Sequence, residues 1–178
     1  MGEVILVIAV FVLIIVTVQF NSLVTARNKV KQAKSSIDVY LTQRFDLIPN
    51  LVETVKAYSR HEDEMFSKMA ELRNSFTHTK SIKVGEELTN KMNRVMAIGE
   101  SNPNLASSEQ FLQLQKTLTK IESQLQAARR IYNGDVTVYN TAIQTFPNSI
   151  IASVFHFVPE ELFTAEEYKK QNVKVDVK

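Results

Sequence analysis

The sequence predicts an all-α protein, an antiparallel four-helix bundle whose first helix continues from a single amino-terminal transmembrane helix. Three observations predict it. Val4 to Val18 is an unbroken run of fifteen residues, apolar except for Thr17. Gly and Pro number four each in 178 residues, too few for the turns of a many-stranded sheet. Beyond the run, apolar residues recur at three-and-four spacing, which marks one face of an amphipathic helix.

The apolar run extends through Gln19 to Phe20. A helix needs about 20 residues to cross a bilayer, with a lower limit near ~17, so this is a short, minimally tilted span. Two other readings compete. A cleaved secretory signal needs a basic leading region, and Glu3 is the only charged side chain before the run, although Val24-Thr25-Ala26 forms a weak cleavage site. A core helix of a soluble protein fails because the run has no polar face. Leu6 stands where the myristoylation pattern needs Ser or Thr, and the absence of Cys excludes lipoprotein anchoring and palmitoylation. No Lys or Arg precedes the run, whereas Arg27, Lys29, Lys31, Lys34 and Arg44 follow it. Basic flanks resist translocation, so the amino terminus is expected outside and the large domain in the cytoplasm.

Residues 21–147 are expected to form the bundle, of coiled-coil type. Helix A carries Leu23, Ala26, Val30, Ala33, Ile37 and Tyr40 on one stripe, which ends or turns at Arg44. Asp46 is the expected N-cap of helix B, with Pro49 in its first turn, where a missing amide does no harm. Helix B carries Ile48, Leu51, Val52, Val55 and Tyr58, then Met65, Phe66, Met69, Leu72 and Phe76. Ser59-Arg60-His61-Glu62 fits a capping box, where helix B kinks or restarts. A loop at Thr77–Ser81 leads to a shorter helix C with Leu88, Met92, Val95, Met96 and Gly99, ended by Asn102-Pro103-Asn104. Helix D opens at the capping-box candidate Ser107-Ser108-Glu109-Gln110. Its stripe is Phe111, Leu114, Leu118, Ile121, Leu125, Ala128, Tyr132, Val136, Tyr139 and Ile143, with a bend expected at Gly134 and closure at Pro147. Alternating helix directions place the A–B and C–D turns far from the membrane, and the B–C loop and the end of D beside it.

Residues 148–167 are then a membrane-proximal apolar segment with a short C-terminal helix, and 168–178 a flexible tail. Ile150, Ile151, Val154, Phe155 and Phe157 either close the open bundle end or rest in the lipid interface. Val173 to Val177 alternates valine with charge and is a weak candidate for strand addition to a partner.

Composition narrows the chemistry. The 21 basic and 19 acidic residues are interspersed, with no basic stripe for nucleic acid. His61-Glu62-Asp63-Glu64 lacks the second histidine of a zinc helix, because position 65 is Met; a solvated charged face is the ordinary reading. No nucleophile has an adjacent base, so neither enzyme chemistry, a metal, a cofactor nor a small-molecule substrate is expected. Two polar clusters stand out. Tyr132-Asn133 and Tyr139-Asn140 are Tyr-Asn pairs seven residues apart, so the tyrosines share one helix stripe and the asparagines the next. Their expected partners are Arg27 and Asn28 of helix A. At the far end Arg44 is expected to pair with Asp46, with Asn50 one turn along. These groups are expected to form a structural polar network that sets helix order, the alternative being a ligand or partner site.

Several stretches together have a family look. They are Arg27-Asn28-Lys29-Val30, Ser36-Ile37-Asp38-Val39, the block Arg44-Phe45-Asp46-Leu47-Ile48-Pro49-Asn50-Leu51-Val52-Glu53-Thr54-Val55, His61-Glu62, and the Tyr-Asn pairs leading to Phe146-Pro147. Over essentially its whole length the chain resembles the bacterial LemA family, whose relatives include the magnetosome protein MamQ. The resemblance implies one amino-terminal span in a bacterial inner membrane, a soluble helical bundle, a role in membrane organisation and no catalytic residues. Gln32-Ala33-Lys34-Ser35 departs from it, since many relatives carry Trp after the Ala, and Lys34 weakens any aromatic docking role there. Two functions are therefore expected. One is a scaffold or adaptor that meets a membrane protein or further copies of itself. The other is a lipid-binding or membrane-shaping protein, using 148–157 and the juxtamembrane cations Arg27, Lys29, Lys31, Lys34 and Lys80 on the bilayer.

Overall fold

No Gly or Pro falls between Glu3 and Asp46 to stop a helix once begun. In the computed structural model, which describes residues 1–56, 58 and 63–163, a single helix α1 spans Gly2–Asp46. It is followed by α2 (Ile48–Lys56), α3 (Asp63–Thr79), α4 (Ile82–Ser101), α5 (Pro103–Ala106), α6 (Glu109–Gln144) and α7 (Asn148–Val154). No strand occurs among the described residues. The expected capping box at residues 59–62, the His61 metal reading and the tail 168–178 lie outside the described residues.

The leading part of α1 is the one described helix long and apolar enough to cross a membrane, and none of its apolar window is buried. Val4 to Ile14 present their side chains outward, with Phe11 63% exposed, so this is not a core helix. Thr17 donates its hydroxyl to the Leu13 carbonyl at 2.8 Å, which satisfies the run's one polar side chain within the helix itself.

The described residues fall into two compact units, one of Ser35–Ala128 and one of Met1–Lys34 with Arg129 onward. Each is described by itself.

In the unit Ser35–Ala128, the expected helix B is two helices that fold back on each other. α2 starts directly after Asp46, and the other end of α3 returns to the same place. Arg73 of α3 donates to the Phe45 carbonyl at 3.1 Å and to Asp46 at 2.9 Å. The Phe45 and Phe76 rings meet edge to face at 4.8 Å. Lys56 and Asp63 pair at 3.2 Å at the opposite end of the hairpin. Lys80, left-handed at φ 49°, donates to Thr42 at 3.0 Å. The loop between α3 and α4 therefore sits at the end of α1 away from the apolar run. This corrects the expected position of the B–C loop, and with it the inclusion of Lys80 among juxtamembrane cations. The physical reason is the fold-back, which cancels one traverse.

Asp46 is the last residue of α1 rather than an N-cap. The Leu47 carbonyl accepts the first α2 amide from Leu51 at 2.9 Å, and Pro49 lies in the first turn as expected. Asn102 caps α5 by accepting from the amides of Asn104 and Leu105. Ser108, not Ser107, caps α6, accepting from the Phe111 amide at 3.3 Å. All ten stripe residues named for helix D are buried. α6 is 36 residues long and runs through Gly134 without interruption.

Two glycines give opposite predictions. A Cβ on Gly99 would stand 2.4 Å from Phe111 Cε2, and Phe111 is 1% exposed with no room to retreat. Gly99→Ala is expected to lower stability by about 2 kcal/mol through overpacking. A Cβ on Gly134 meets nothing within 4 Å, so Gly134→Ala is expected to add up to about 1 kcal/mol from helix propensity alone. Thermal midpoints of the two variants check both signs.

Candidate functional site

The unit built from Met1–Lys34 and the residues from Arg129 onward holds a ladder of part-buried side-chain hydrogen bonds to main chain. After α6 the chain turns at Thr145–Pro147, where the Phe146–Pro147 bond is cis, and enters α7. Ile151 and Ala152 face inward, and Ile150 and Val154 outward. Phe155 and Phe157 then meet Phe20, with ring centroids 4.8 and 5.8 Å apart. At His156, left-handed at φ 56°, the chain leaves the helical path and residues 157–163 continue without secondary structure.

These residues lie along α6, and the two Tyr-Asn pairs hold them. Asn140 donates to the Glu160 carbonyl at 2.8 Å and accepts from the Glu160 amide at 3.0 Å. Asn133 does the same to Phe163, at 2.7 and 2.8 Å. Tyr139 donates to the Val158 carbonyl at 2.9 Å, and Tyr132 to that of Glu161 at 3.0 Å. All six bonds reach main-chain atoms.

The spacing explains the repeat. Seven residues advance an α-helix by about 10.5 Å. Three residues of an extended or polyproline-II chain advance by roughly 9–10 Å. Each Tyr-Asn pair therefore meets the strap 158–163 one repeat further along. A side-chain amide offers the donor and acceptor of a peptide group, so it can pair both ways with one residue. The far end of the strap is fixed by Phe163, whose ring meets Tyr132 edge to face at 5.5 Å and lies under the Arg129 guanidinium at 5.6 Å.

Burial sets the titration of the ladder. The Tyr132 and Tyr139 hydroxyls are both raised above the ordinary phenol value of 10.0, first by burial. Glu160 raises both, Glu161 adds to Tyr132, and Arg27 acts in the opposite direction on Tyr139. An acid whose folded value is raised stabilises the fold below its unfolded value, and loses that contribution as pH climbs past it. The strap is therefore expected to hold up to about pH 10 and to loosen above it. Tyrosinate absorbance checks this: of five tyrosines, two should ionise late and in step with strap release.

The sequence-derived site residues divide as follows. Tyr132, Asn133, Tyr139 and Asn140 come together, but on the strap rather than on Arg27 and Asn28. Asn28 is exposed, and Arg27 is half-buried with its guanidinium 6.0 Å from the Phe157 ring centroid. Lys29, Lys31 and Lys34 are exposed. Of the five residues expected at the lipid interface, Ile150, Val154 and Phe155 are exposed and Phe157 is half-buried, whereas Ile151 is buried at 7% because it is on the inner face of α7. In the other unit Arg44 and Asp46 do not pair with each other. Arg44 is buried and binds Glu122 of α6 and Asn93 of α4, while Asp46 binds Arg73. Asn50 is exposed. The sequence reading missed residues 158–163 as the ladder's partner. The available signal was chemical: two asparagines seven apart on one helix can each pair doubly with a main chain running alongside.

A groove of about 290 Å³ lies between α1 and α6, lined by Ser22, Thr25, Ala26, Lys29, Asp135 and Val138. Among the described residues no group of three or more His, Cys, Asp or Glu is placed to hold a metal ion.

A LemA protein of Metamycoplasma hominis is 23% identical over 158 residues, covering 86% of this chain and 72% of its own. The magnetosome protein MamQ of Magnetospirillum gryphiswaldense and MamQ 2 of Paramagnetospirillum magneticum are each 22% identical over 175 residues. Those alignments cover 82% of this chain and 64% of the MamQ proteins, so the chain spans less than two thirds of their length. The LemA family pattern matches residues 33–177, taking in the Arg44–Val55 block, both Tyr-Asn pairs and the strap, and the chain belongs to the LemA family.

Proposed function

We propose that this chain is a membrane-anchored scaffold that performs no reaction of its own. It stands in a bacterial inner membrane with its amino terminus outside and an antiparallel helical bundle in the cytoplasm. It meets a membrane protein or further copies of itself. The observation that carries the reading is α1, one helix from Gly2 to Asp46 that joins an unburied apolar stretch to a packed stripe without a break. The basic residues that follow the apolar stretch, with none before it, support the orientation. The family's MamQ members carry a magnetosome name, which supports a role in organising membranes.

Because the chain has no Cys, single cysteines can report its topology. Cysteine at Glu3 should react with an impermeant maleimide on intact spheroplasts, and cysteine at Lys80 only after lysis; the reverse pattern overturns the orientation. Purification in mild detergent should return a specific membrane protein or an oligomer. A lone monomer by mass photometry overturns the scaffold.

The contact of Phe155 and Phe157 with Phe20 favours a second reading, lipid engagement. It puts the outward Ile150, Val154 and Phe155 beside the end of the apolar run, with Lys29, Lys31 and Lys34 exposed on the same helix. Such a collar of aromatic and aliphatic side chains suits the headgroup boundary. The chain has no Trp, so Phe155→Trp gives a clean depth probe. Quenching by lipids brominated near the headgroup is expected, and quenching by aqueous iodide alone rejects the reading.

A further inference from the structure

The hydrogen bonds of the Tyr-Asn ladder read main chain alone. Its six hydrogen bonds end on carbonyls and amides of residues 158–163. The strap's own side chains mostly point away, with Val158 59% and Leu162 50% exposed. A site of this kind accepts any extended segment of matching register, as a sheet edge accepts an added strand. Phe163, against Tyr132 and under Arg129, adds one side-chain anchor, which an identical strap also carries. The segment with the highest local concentration is the chain's own strap, and next is the same strap on a neighbouring copy held in the same membrane.

We infer that residues 158–163 exchange between copies, the strap of one chain filling the ladder of a second. The hinge for the exchange is His156. It is a non-glycine residue held at φ 56°, a conformation that a Cβ disfavours, and it lies where the chain leaves α7 for the strap. Opening the strap relieves that residue, and a closed hinge under strain is the usual setting for segment swapping. The swapped state keeps every ladder bond, because both copies supply identical main chain. Only the path through His156 changes. This inference concerns the ladder alone and does not depend on the scaffold reading.

The test uses full-length protein in native membranes. One copy carries a photo-crosslinking amino acid at exposed Leu162 and one affinity tag, and the other carries a second tag only. Irradiation is expected to join the two tags, with the crosslink mapped to the α6 peptide around Tyr132–Asn140 of the second copy. Asn133→Ala with Asn140→Ala in the second copy should abolish that product. His156→Gly, which tolerates the left-handed hinge, should reduce it severalfold by favouring the closed form. Crosslinks confined within single copies overturn the exchange. So does a mixed product that survives loss of the acceptor's asparagines, which would mark random collision, or one indifferent to His156→Gly.

Discussion

Replacing both Asn133 and Asn140 with Ala is expected to free residues 158–163 from α6 while leaving the helices formed. Each asparagine makes two bonds to one strap residue, at 2.7–3.0 Å. A lost pair leaves a peptide donor and acceptor seeking water, at about 1–3 kcal/mol for each buried group stranded. Strap side chains contribute little apolar burial to offset this, since Val158 and Leu162 are half or more exposed. The double variant should therefore lose about 3–5 kcal/mol of local stability by the same scale. Hydrogen exchange checks it: the Glu160 and Phe163 amides should lose protection, while the amides of α6 around Val136 keep theirs. Single variants should show partial release, and Asp at either position should fail to restore the donor half of the pair. Unchanged protection in the double variant would show that Tyr132, Tyr139 and Phe163 suffice to hold the strap.

Glu122→Ala is expected to cost about 3 kcal/mol, more than Arg44→Ala, although the two residues form one ion pair. The asymmetry follows from exposure. The Arg44 side chain is 10% exposed and that of Glu122 33%. Removing Glu122 takes a carboxylate partner from a guanidinium held in the packed interior, where Asn93 supplies a neutral acceptor but no charge. Removing Arg44 leaves a carboxylate that can turn to water, so the loss is closer to 2 kcal/mol and comes largely from packing of the arginine stem. Replacing the two together, Arg44→Met with Glu122→Leu, should fall within about 1 kcal/mol of the parent or exceed it, because both desolvation penalties disappear. Urea unfolding of the three variants forms a double-mutant cycle. If Arg44→Ala proves the worse, water reaches the site more freely than its burial indicates.

Much of the fold was legible because it rests on period and punctuation. The helix D stripe from Phe111 to Ile143 is spaced for one face, and every member is buried. Asn102-Pro103 and Pro147 mark chain turns because proline removes a donor. The fold-back of helix B was not legible in direction. The stripe through Leu51, Val55, Phe66 and Met69 reads the same whether the helix continues or reverses, and only contacts such as Arg73 with Asp46 decide it. Arg44 was read as the end of a stripe because a charge on an apolar face usually ends one. Here Glu122, 78 positions away in sequence, lets the stripe continue through Phe45. The ladder was half legible: the seven-residue repeat was visible, but its partner lacks a helical period and carries its recognition in the backbone, which every sequence shares.

The unbroken passage of α1 from apolar run to packed stripe has a mechanical consequence. No joint separates the part that would lie in lipid from the part beyond it. The 14 residues from Asn21 to Lys34, in the same compact unit as the apolar run, form an arm of about 21 Å. Where a bilayer thins or thickens, a short span adjusts by leaning, since it has no spare length to bend. A lean of roughly 10° would swing the tip of such an arm by about 4 Å at helical rise. Local bilayer thickness would then be registered as a displacement at Lys34.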